Sequence, residues 1–340
     1  MKKTIAFILA LLILAGAFTA YKIFGPGLST ASGEFFYIKT GSDYSDVKQE
    51  LIKKRYIKTG SWFDLTSKIL KYKIAKAGRY KVKKGMSLFD LVRMLKNGRQ
   101  TPVNFVITKL RTKEALAAKA GNMFECDSLE MISFLNNADT LKNYGLDTST
   151  VMAAIMPYTY TLNWNSTAKK IFVSFYTAYK TFWTAERKQK ADSLHLSPTE
   201  VSTLASILEE ETNAKSDKPN IASVYLNRIK LGMPLQADPT VKFGLRDFAL
   251  KRIYSKHTQI ASPYNTYINK GLPPGPICTP SIETIDAVLD SPKTDYLYFV
   301  ANSDFSGTHI FTSNYEDHMK YARIYQQALN KQDSIKRAKK

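Results

Sequence analysis

The sequence predicts an α+β protein made of an N-terminal transmembrane helix, a small α+β module and a larger mixed α+β domain. Three observations carry this expectation. Residues 4–24 (TIAFILALLILAGAFTAYKIF) hold no charge before Lys22 and are long enough to cross a bilayer. Between 34 and 100 a strand-like run precedes a helix-like run twice, and the spacing from Gly41 to Asp46 recurs from Gly85 to Asp90. Between 101 and 330 helical periodicity alternates with short aromatic and β-branched runs and with one proline-rich loop, as in a mixed domain.

Lys2 and Lys3 precede the apolar run, so the positive-inside rule puts the rest of the chain outside the cytoplasm. Small residues between Ala15 and Ala20 make a cleavable signal peptide the rival reading; the length of the run favours a retained anchor over 1–24. Residues 25–33 (GPGLSTASG) have linker composition. In the module over 34–100, Phe35–Thr40 and Gly78–Lys83 are expected strands, and Asp43–Lys54 and Ser87–Lys96 expected helices. Ser87 with Asp90 forms an acidic capping box, and Leu88, Leu91, Val92 and Leu95 supply an apolar face.

The larger domain, 101–330, opens with a strand at Thr101–Ile107 and short helices at Lys113–Ala120 and Ser128–Asn136. Pro157 marks a turn, and one long helix is expected over Ser166–Leu194, its aromatic stripe serving as core. The best-marked helix is Ser197–Thr212. Ser197 suits the N-cap, Pro198 the first helical position, and Glu200 completes a capping box. Val201, Leu204, Ala205, Ile207 and Leu208 form the core-facing stripe. At about 100° per residue, Glu211 lies about 50° from the centre of that stripe, Glu209 about 110° and Glu210 about 150°. Phase alone turns only Glu211 inward. A buried carboxyl gains a raised pKa and the profile of a general acid, but the isolated helix by itself favours a structural salt bridge to one of many lysines.

Beyond it, Pro219 opens a helix over Asn220–Lys230. In GMPLQADPT, Gln236, Asp238 and Thr240 alternate along an extended segment and project to one side; an Asx turn of Asp238 before Pro239 is the alternative. Residues 262–280 hold five prolines and two glycines, which forbids a regular element and implies a rigid, functional loop. There Asn265 and Tyr267 offer hydrogen bonds and flat apolar surface suited to a sugar polymer. A helix at Thr284–Leu289, a hairpin of Tyr296–Ala301 with Gly307–Thr312 carrying His309, and a final helix at Tyr315–Asn330 follow. The basic tail, 331–340, is expected to fray.

The net charge of +20 raises nucleic acid as a partner, but an exported location argues against it and favours an anionic membrane or wall polymer. Cys126 and Cys278 have no metal-type spacing, and pairing or two thiols are both open. No metal or other cofactor is expected.

Several motifs resemble the YceG-like family of endolytic murein transglycosylases. They are ASILEEET at 205–212, ASVYLNR at 222–228, LQADPT at 235–240, YNTY at 264–267 with GLPPGPI at 271–277, and YLYFV at 296–300 followed by HIF at 309–311. They run in the family's order across about 155–325. In the N-terminal half Gly78-Arg79-Tyr80 and Gly85-Met86-Ser87-Leu88 resemble the family's LysM-like module. The chain departs from the pattern in Glu-Glu-Glu-Thr for Glu-Lys-Glu-Thr, in Pro157-Tyr158 for Pro-Asp, and in Met319 where asparagine follows the histidine at His318.

The resemblance implies a lytic transglycosylase that cleaves the MurNAc-β-1,4-GlcNAc bond of peptidoglycan and leaves 1,6-anhydro ends. Its catalytic glutamate, directly before threonine, falls on Glu211, leaving Glu209 a flanking charge and Glu210 facing solvent. Gln236, Asp238, Thr240, Asn265, Tyr267 and His309 form the expected substrate-binding set. Expected partners are peptidoglycan glycan strands, the inner (plasma) membrane through 4–24, and penicillin-binding proteins or other wall synthases, with action on nascent strands on the periplasmic (extracytoplasmic) side. A non-catalytic glycan-binding scaffold is the alternative.

Overall fold

The computed structural model describes residues 2–30 and 33–338, so parts of the expected linker (31–32) and tail (339–340) lie outside the described residues. Contacts divide the chain into two units, one of Met1–Phe105, Ala120–Asp127 and Thr161–Thr167, the other of Val106–Lys119, Ser128–Tyr160 and Ala168–Lys340.

The first unit begins with helix α1 (Lys2–Phe24), 23 residues with a mean hydropathy of 2.2 in its most apolar window, long and apolar enough to cross a membrane. Strand β1 (Phe35–Ile38), helices α2 (Tyr44–Lys53) and α3 (Gly60–Leu70), strand β2 (Gly78–Lys81) and helix α4 (Leu88–Asn97) follow. β1 and β2 pair antiparallel with Phe36 opposite Tyr80. The two expected helices are present with their caps: Asp43 and Asp46 bond reciprocally at the start of α2, and Ser87 Oγ accepts from Asp90 N at the start of α4. Helix α3 is an addition to the expected elements, and Thr59, its N-cap, makes no side-chain cap bond. Phe36, Leu51, Tyr56, Phe63, Tyr80, Leu91 and Leu95 form the shared core. The segment after α1 is no free linker: Leu28 is buried in that core and its N–H donates to Met86 O at 3.2 Å.

Strand β3 (Val103–Val106) and helices α5 (Lys113–Gly121), α6 (Ser128–Leu135) and α7 (Ala138–Lys142) precede strand β4 (Thr159–Leu162), which pairs with β3. The long helix expected over 166–194 is two helices, α8 (Ala168–Phe182) and α9 (Ala185–Ser193). Thr184 breaks it by taking extended backbone and accepting from Arg187 N at 3.3 Å, which caps a new helix.

Helix α10 (Pro198–Glu211) starts on the expected capping box. Eight consecutive residues, Val201–Leu208, are buried, so this helix is enclosed on all sides rather than on one stripe. It packs against α11 (Lys218–Lys230), α12 (Asp238–Leu245) and α13 (Ile282–Leu289). Full burial of Leu204, Ile207 and Leu208 contributes about 1.5–3 kcal/mol each. The strands β5 (Tyr298–Ala301) and β6 (His309–Thr312) form the expected hairpin, with Ala301 opposite His309. Helix α14 (Tyr315–Ala338) packs on it and continues past the expected end at 330 as far as Ala338.

No helix or strand interrupts 262–280, and polar pins hold its path. Ser206 Oγ in α10 accepts from Ile277 N at 2.9 Å, and the Thr279 hydroxyl donates to Thr108 O at 2.9 Å. At Gly275 a Cβ would meet Ser149 O at 2.0 Å, so the loop passes there only because the side chain is a hydrogen. Cys126 and Cys278 are buried thiols that donate to Asp127 O and Ser206 O, each at 3.5 Å.

Candidate active site

The C-terminal end of α10 delivers Glu211 to a cleft of ≈ 280 Å³. Helix α11 contributes Tyr225 and Arg228, the turn into α12 Gln236 and Asp238, the proline-rich loop Tyr267, β5 Phe299 and α14 His318. Glu211 also lines a second cleft, ≈ 600 Å³, with Asn213, Asn302, Phe305, His309 and Tyr325. The glutamate therefore stands where two open clefts meet.

The Tyr225 hydroxyl donates to Glu211 Oε1 at 2.7 Å, while Oε2 takes no hydrogen bond from the described residues. Burial pushes the Glu211 carboxyl up to about 7 from 4.5. The Tyr225 hydrogen bond pulls it down, and the Asp238 charge adds to the rise. Asp238 is in turn held by the Tyr267 hydroxyl, which donates to its Oδ1 at 2.6 Å; burial first, then this carboxylate, push the Tyr267 phenol up. Arg228 is buried with Nε on Leu297 O at 2.8 Å and Nη1 on Leu235 O at 2.7 Å, so its charge is held by carbonyl dipoles rather than by a carboxylate. His318 stacks on Tyr298 with ring centroids 5.2 Å apart, and burial, with the Arg228 charge, holds it below the usual histidine range.

Four of the seven expected site residues, Glu211, Gln236, Asp238 and Tyr267, meet in the first cleft. Gln236 is exposed with φ +54, a left-handed conformation that costs a non-glycine residue energy and is retained where the surroundings impose it. Its N–H donates to Thr266 O at 3.0 Å. His309 lines the second cleft; its backbone N–H donates to Asp217 Oδ2 at 2.7 Å and its Nδ1 lies 3.0 Å from the same oxygen. A carboxylate only accepts, which assigns the proton to Nδ1.

Thr240 and Asn265 line neither cleft. Thr240 is fully buried, its hydroxyl 2.7 Å from Ala237 O and 2.8 Å from the Thr266 hydroxyl. Asn265 is fully buried as well, donating to Thr258 O at 3.0 Å and Ile260 O at 2.9 Å and accepting from Tyr267 N at 3.1 Å. Both brace the turn and loop that carry Asp238 and Tyr267. The alternating extended segment expected over 236–240 does not persist, because Asp238 and Pro239 begin α12.

Glu209 and Glu210 depart from expectation, with side chains only 17% and 14% exposed. Glu210 does not face solvent: Arg111 forks onto it with bonds of 3.0 and 2.9 Å, and Lys109 joins at 3.0 Å. Glu209 pairs with the buried Lys218 at 3.0 Å and accepts from Ser281 at 2.9 Å and from Thr284. Burial raises its carboxyl, but the Thr284 bond and the Lys218 ammonium more than offset that and leave it below the usual range. Phase on a one-sided helix misleads here because α10 is surrounded on every side.

Tyr225, Arg228, Phe299 and His318 were absent from the expected binding set. Tyr225 and Arg228 are three apart on α11, a spacing that puts them on one face, but that face is known to meet Glu211 only from the packing of α11 on α10. Tyr158, at the altered Pro-Asp position, lines neither cleft.

Comparison with known proteins agrees with this geometry. The sequence profile of the YceG-like family matches residues 36–324. An endolytic murein transglycosylase of Bacillus subtilis (strain 168) is 33% identical over 316 residues, covering 86% of this chain and 85% of its own. One from Streptococcus pneumoniae (strain ATCC BAA-255 / R6) is 27% identical over 319 residues, covering 83% of this chain and 56% of its own. A crystal structure of a YceG-like protein from Listeria monocytogenes superposes with a TM-score of 0.56 at 29% identity, covering 84% of this chain and 98% of that one. Motif order, fold and profile thus agree that the chain belongs to the YceG-like family.

Proposed function

We propose that this protein is an endolytic murein transglycosylase, a lyase that cleaves peptidoglycan glycan strands, with Glu211 as its single acid/base. The observation that carries the reading is one half-buried carboxyl with a pKa of about 7 at the junction of two clefts. A carboxyl poised near neutral pH both donates and accepts a proton readily, as a shared acid/base must.

In this mechanism Glu211 protonates the glycosidic oxygen between N-acetylmuramic acid and N-acetylglucosamine. As the C1–O bond breaks, positive charge develops at C1 and the ring oxygen. The muramyl C6 hydroxyl then attacks C1 and passes its proton to the Glu211 carboxylate, which closes a 1,6-anhydro ring and restores the acid. Water is not consumed, so no second carboxylate has to activate it. Tyr225 holds the Glu211 carboxyl in one orientation, and Asp238 favours its protonated form. Gln236 and Tyr267 orient the sugar in the first cleft, and His309 contributes to the second. Thr240 and Asn265 serve by bracing these groups.

Helix α1 anchors the protein in the inner (plasma) membrane, with the catalytic domain (101–330) and a LysM-like module (34–100) on the extracytoplasmic side. There the module holds glycan, and the enzyme acts on nascent strands beside penicillin-binding proteins or other wall synthases. Mass analysis of purified glycan treated with the full-length protein tests the chemistry. Wild type is expected to yield ends lighter by one water than reducing ends, and Glu211→Gln to yield no cleavage. Reducing ends would replace the lyase with a hydrolase, and cleavage by Glu211→Gln would remove this residue from the chemistry.

A further inference from the structure

A further cavity in the second unit, ≈ 240 Å³, lies at the end of α12 opposite Asp238. Arg111, Lys113 and Arg246 line it together with the hydroxyl-bearing Ser149, Ser262 and Tyr264. Its three cations are unequally neutralised. Arg111 is forked onto Glu210, whereas Arg246 meets Glu114 at 3.1 Å with both side chains more than half exposed, a contact that solvent makes weak. Lys113 meets no carboxylate at ion-pair distance among the described residues. Its ammonium donates to Asn136 Oδ1 at 2.6 Å and Thr148 O at 2.9 Å, both neutral, which leaves one of its three N–H groups unused. Burial holds the Lys113 pKa below the usual lysine value. A half-buried ammonium beside a second cation is unfavourable until an anion joins it.

The spacing suggests which anion. The eight residues of α12 rise about 10 Å from Asp238, in the candidate active site, to the end that borders this cavity. An extended peptide of three residues spans about 10 Å. In peptidoglycan the lactyl group of N-acetylmuramic acid carries a short peptide rich in carboxylates. The remaining N–H of Lys113, the Arg246 guanidinium and the neighbouring hydroxyls form a donor set suited to a planar two-oxygen group.

We infer that this basic cavity binds a carboxylate of the stem peptide on the muramyl residue seated at Glu211, so that the enzyme selects peptide-bearing over stripped glycan strands. The inference rests on the transglycosylase reading and extends it to a specificity site. The test uses the full-length protein in detergent with two substrates: strands bearing stem peptides, and the same strands stripped by a muramoyl-alanine amidase. Wild type is expected to favour the peptide-bearing strands in kcat/KM by about tenfold or more, the effect of one charge-assisted hydrogen bond. Lys113→Gln and, separately, Arg246→Gln are expected to bring that ratio toward one, through KM rather than kcat. Arg246 is exposed, so its substitution keeps the result readable should Lys113→Gln impair folding. Equal cleavage of both substrates by wild type, or an unchanged ratio in Arg246→Gln, overturns the inference and leaves the transglycosylase reading standing. Failure of wild type to cleave either substrate overturns both.

Discussion

Replacing Glu211 by glutamine probes the electrostatics of the cleft without any substrate. Glutamine keeps the shape and still accepts the Tyr225 hydroxyl through its amide oxygen, but it cannot ionise. In the folded protein the Glu211 carboxyl titrates near 7, against 4.5 for an unperturbed glutamate. Below about pH 4.5 the group is protonated in both folded and unfolded chains and costs nothing. As pH rises the unfolded chain releases its proton first, so the folded state loses relative stability until Glu211 itself ionises near 7. From 4.5 to about 7, at about 1.36 kcal/mol per pH unit, the loss is on the order of 3 kcal/mol. Glu211→Gln removes it. Urea unfolding of the full-length chain in detergent, followed by tryptophan fluorescence between pH 4.5 and 8, is expected to show equal midpoints at the acid end. The variant should become progressively more stable toward neutrality, and the gap should level off above pH 7. Parallel curves across that range, or a variant less stable at pH 8, would mean that Glu211 is not a desolvated carboxyl.

Tyr225→Phe deletes the hydrogen bond that favours ionised Glu211, so the alkaline limb of the kcat/KM profile is expected to move up by roughly one pH unit; an unmoved limb would separate the two residues. Asn265→Ala strips two partly buried carbonyls of their donor and should cost about 2–4 kcal/mol, read as a lower melting temperature. A substitution that spares stability and raises only KM would return Asn265 to the substrate-binding set. Lys218→Met leaves Glu209 half-buried without its cation and should cost about 3–5 kcal/mol in urea unfolding, while adding Glu209→Leu should recover part of that loss. Strict additivity of the two changes would contradict a coupled pair.

Much of the fold was legible because its signals are local. The capping box at Ser197, the N-cap at Ser87, the apolar face of α4 and the β5–β6 hairpin all appear where short-range patterns put them. Helix α3 is not among the expected elements, and the break between α8 and α9 turns on a single threonine competing for the backbone. In the candidate site, burial raises the Glu211 carboxyl as its helical phase implies, but phase does not foresee that Glu209 and Glu210 are buried as well. All three are substantially buried, and what separates them is the partner each one meets: Lys218 for Glu209, Arg111 for Glu210, and a neutral phenol for Glu211.

The sequence by itself determined the apolar helix, the capped elements, the motifs that identify the family, and the set of polar residues from which a site is drawn. Those depend on composition and on spacings of a few residues. Only the tertiary structure decided that Thr240 and Asn265 brace the site, that Tyr225 and Arg228 enter it, and that Glu211 has no cation at ion-pair distance among the described residues. Such outcomes depend on which helix faces which across gaps of tens of residues, and a carboxyl keeps or loses its proton according to the charge and solvent it meets there, not according to its neighbours in the chain.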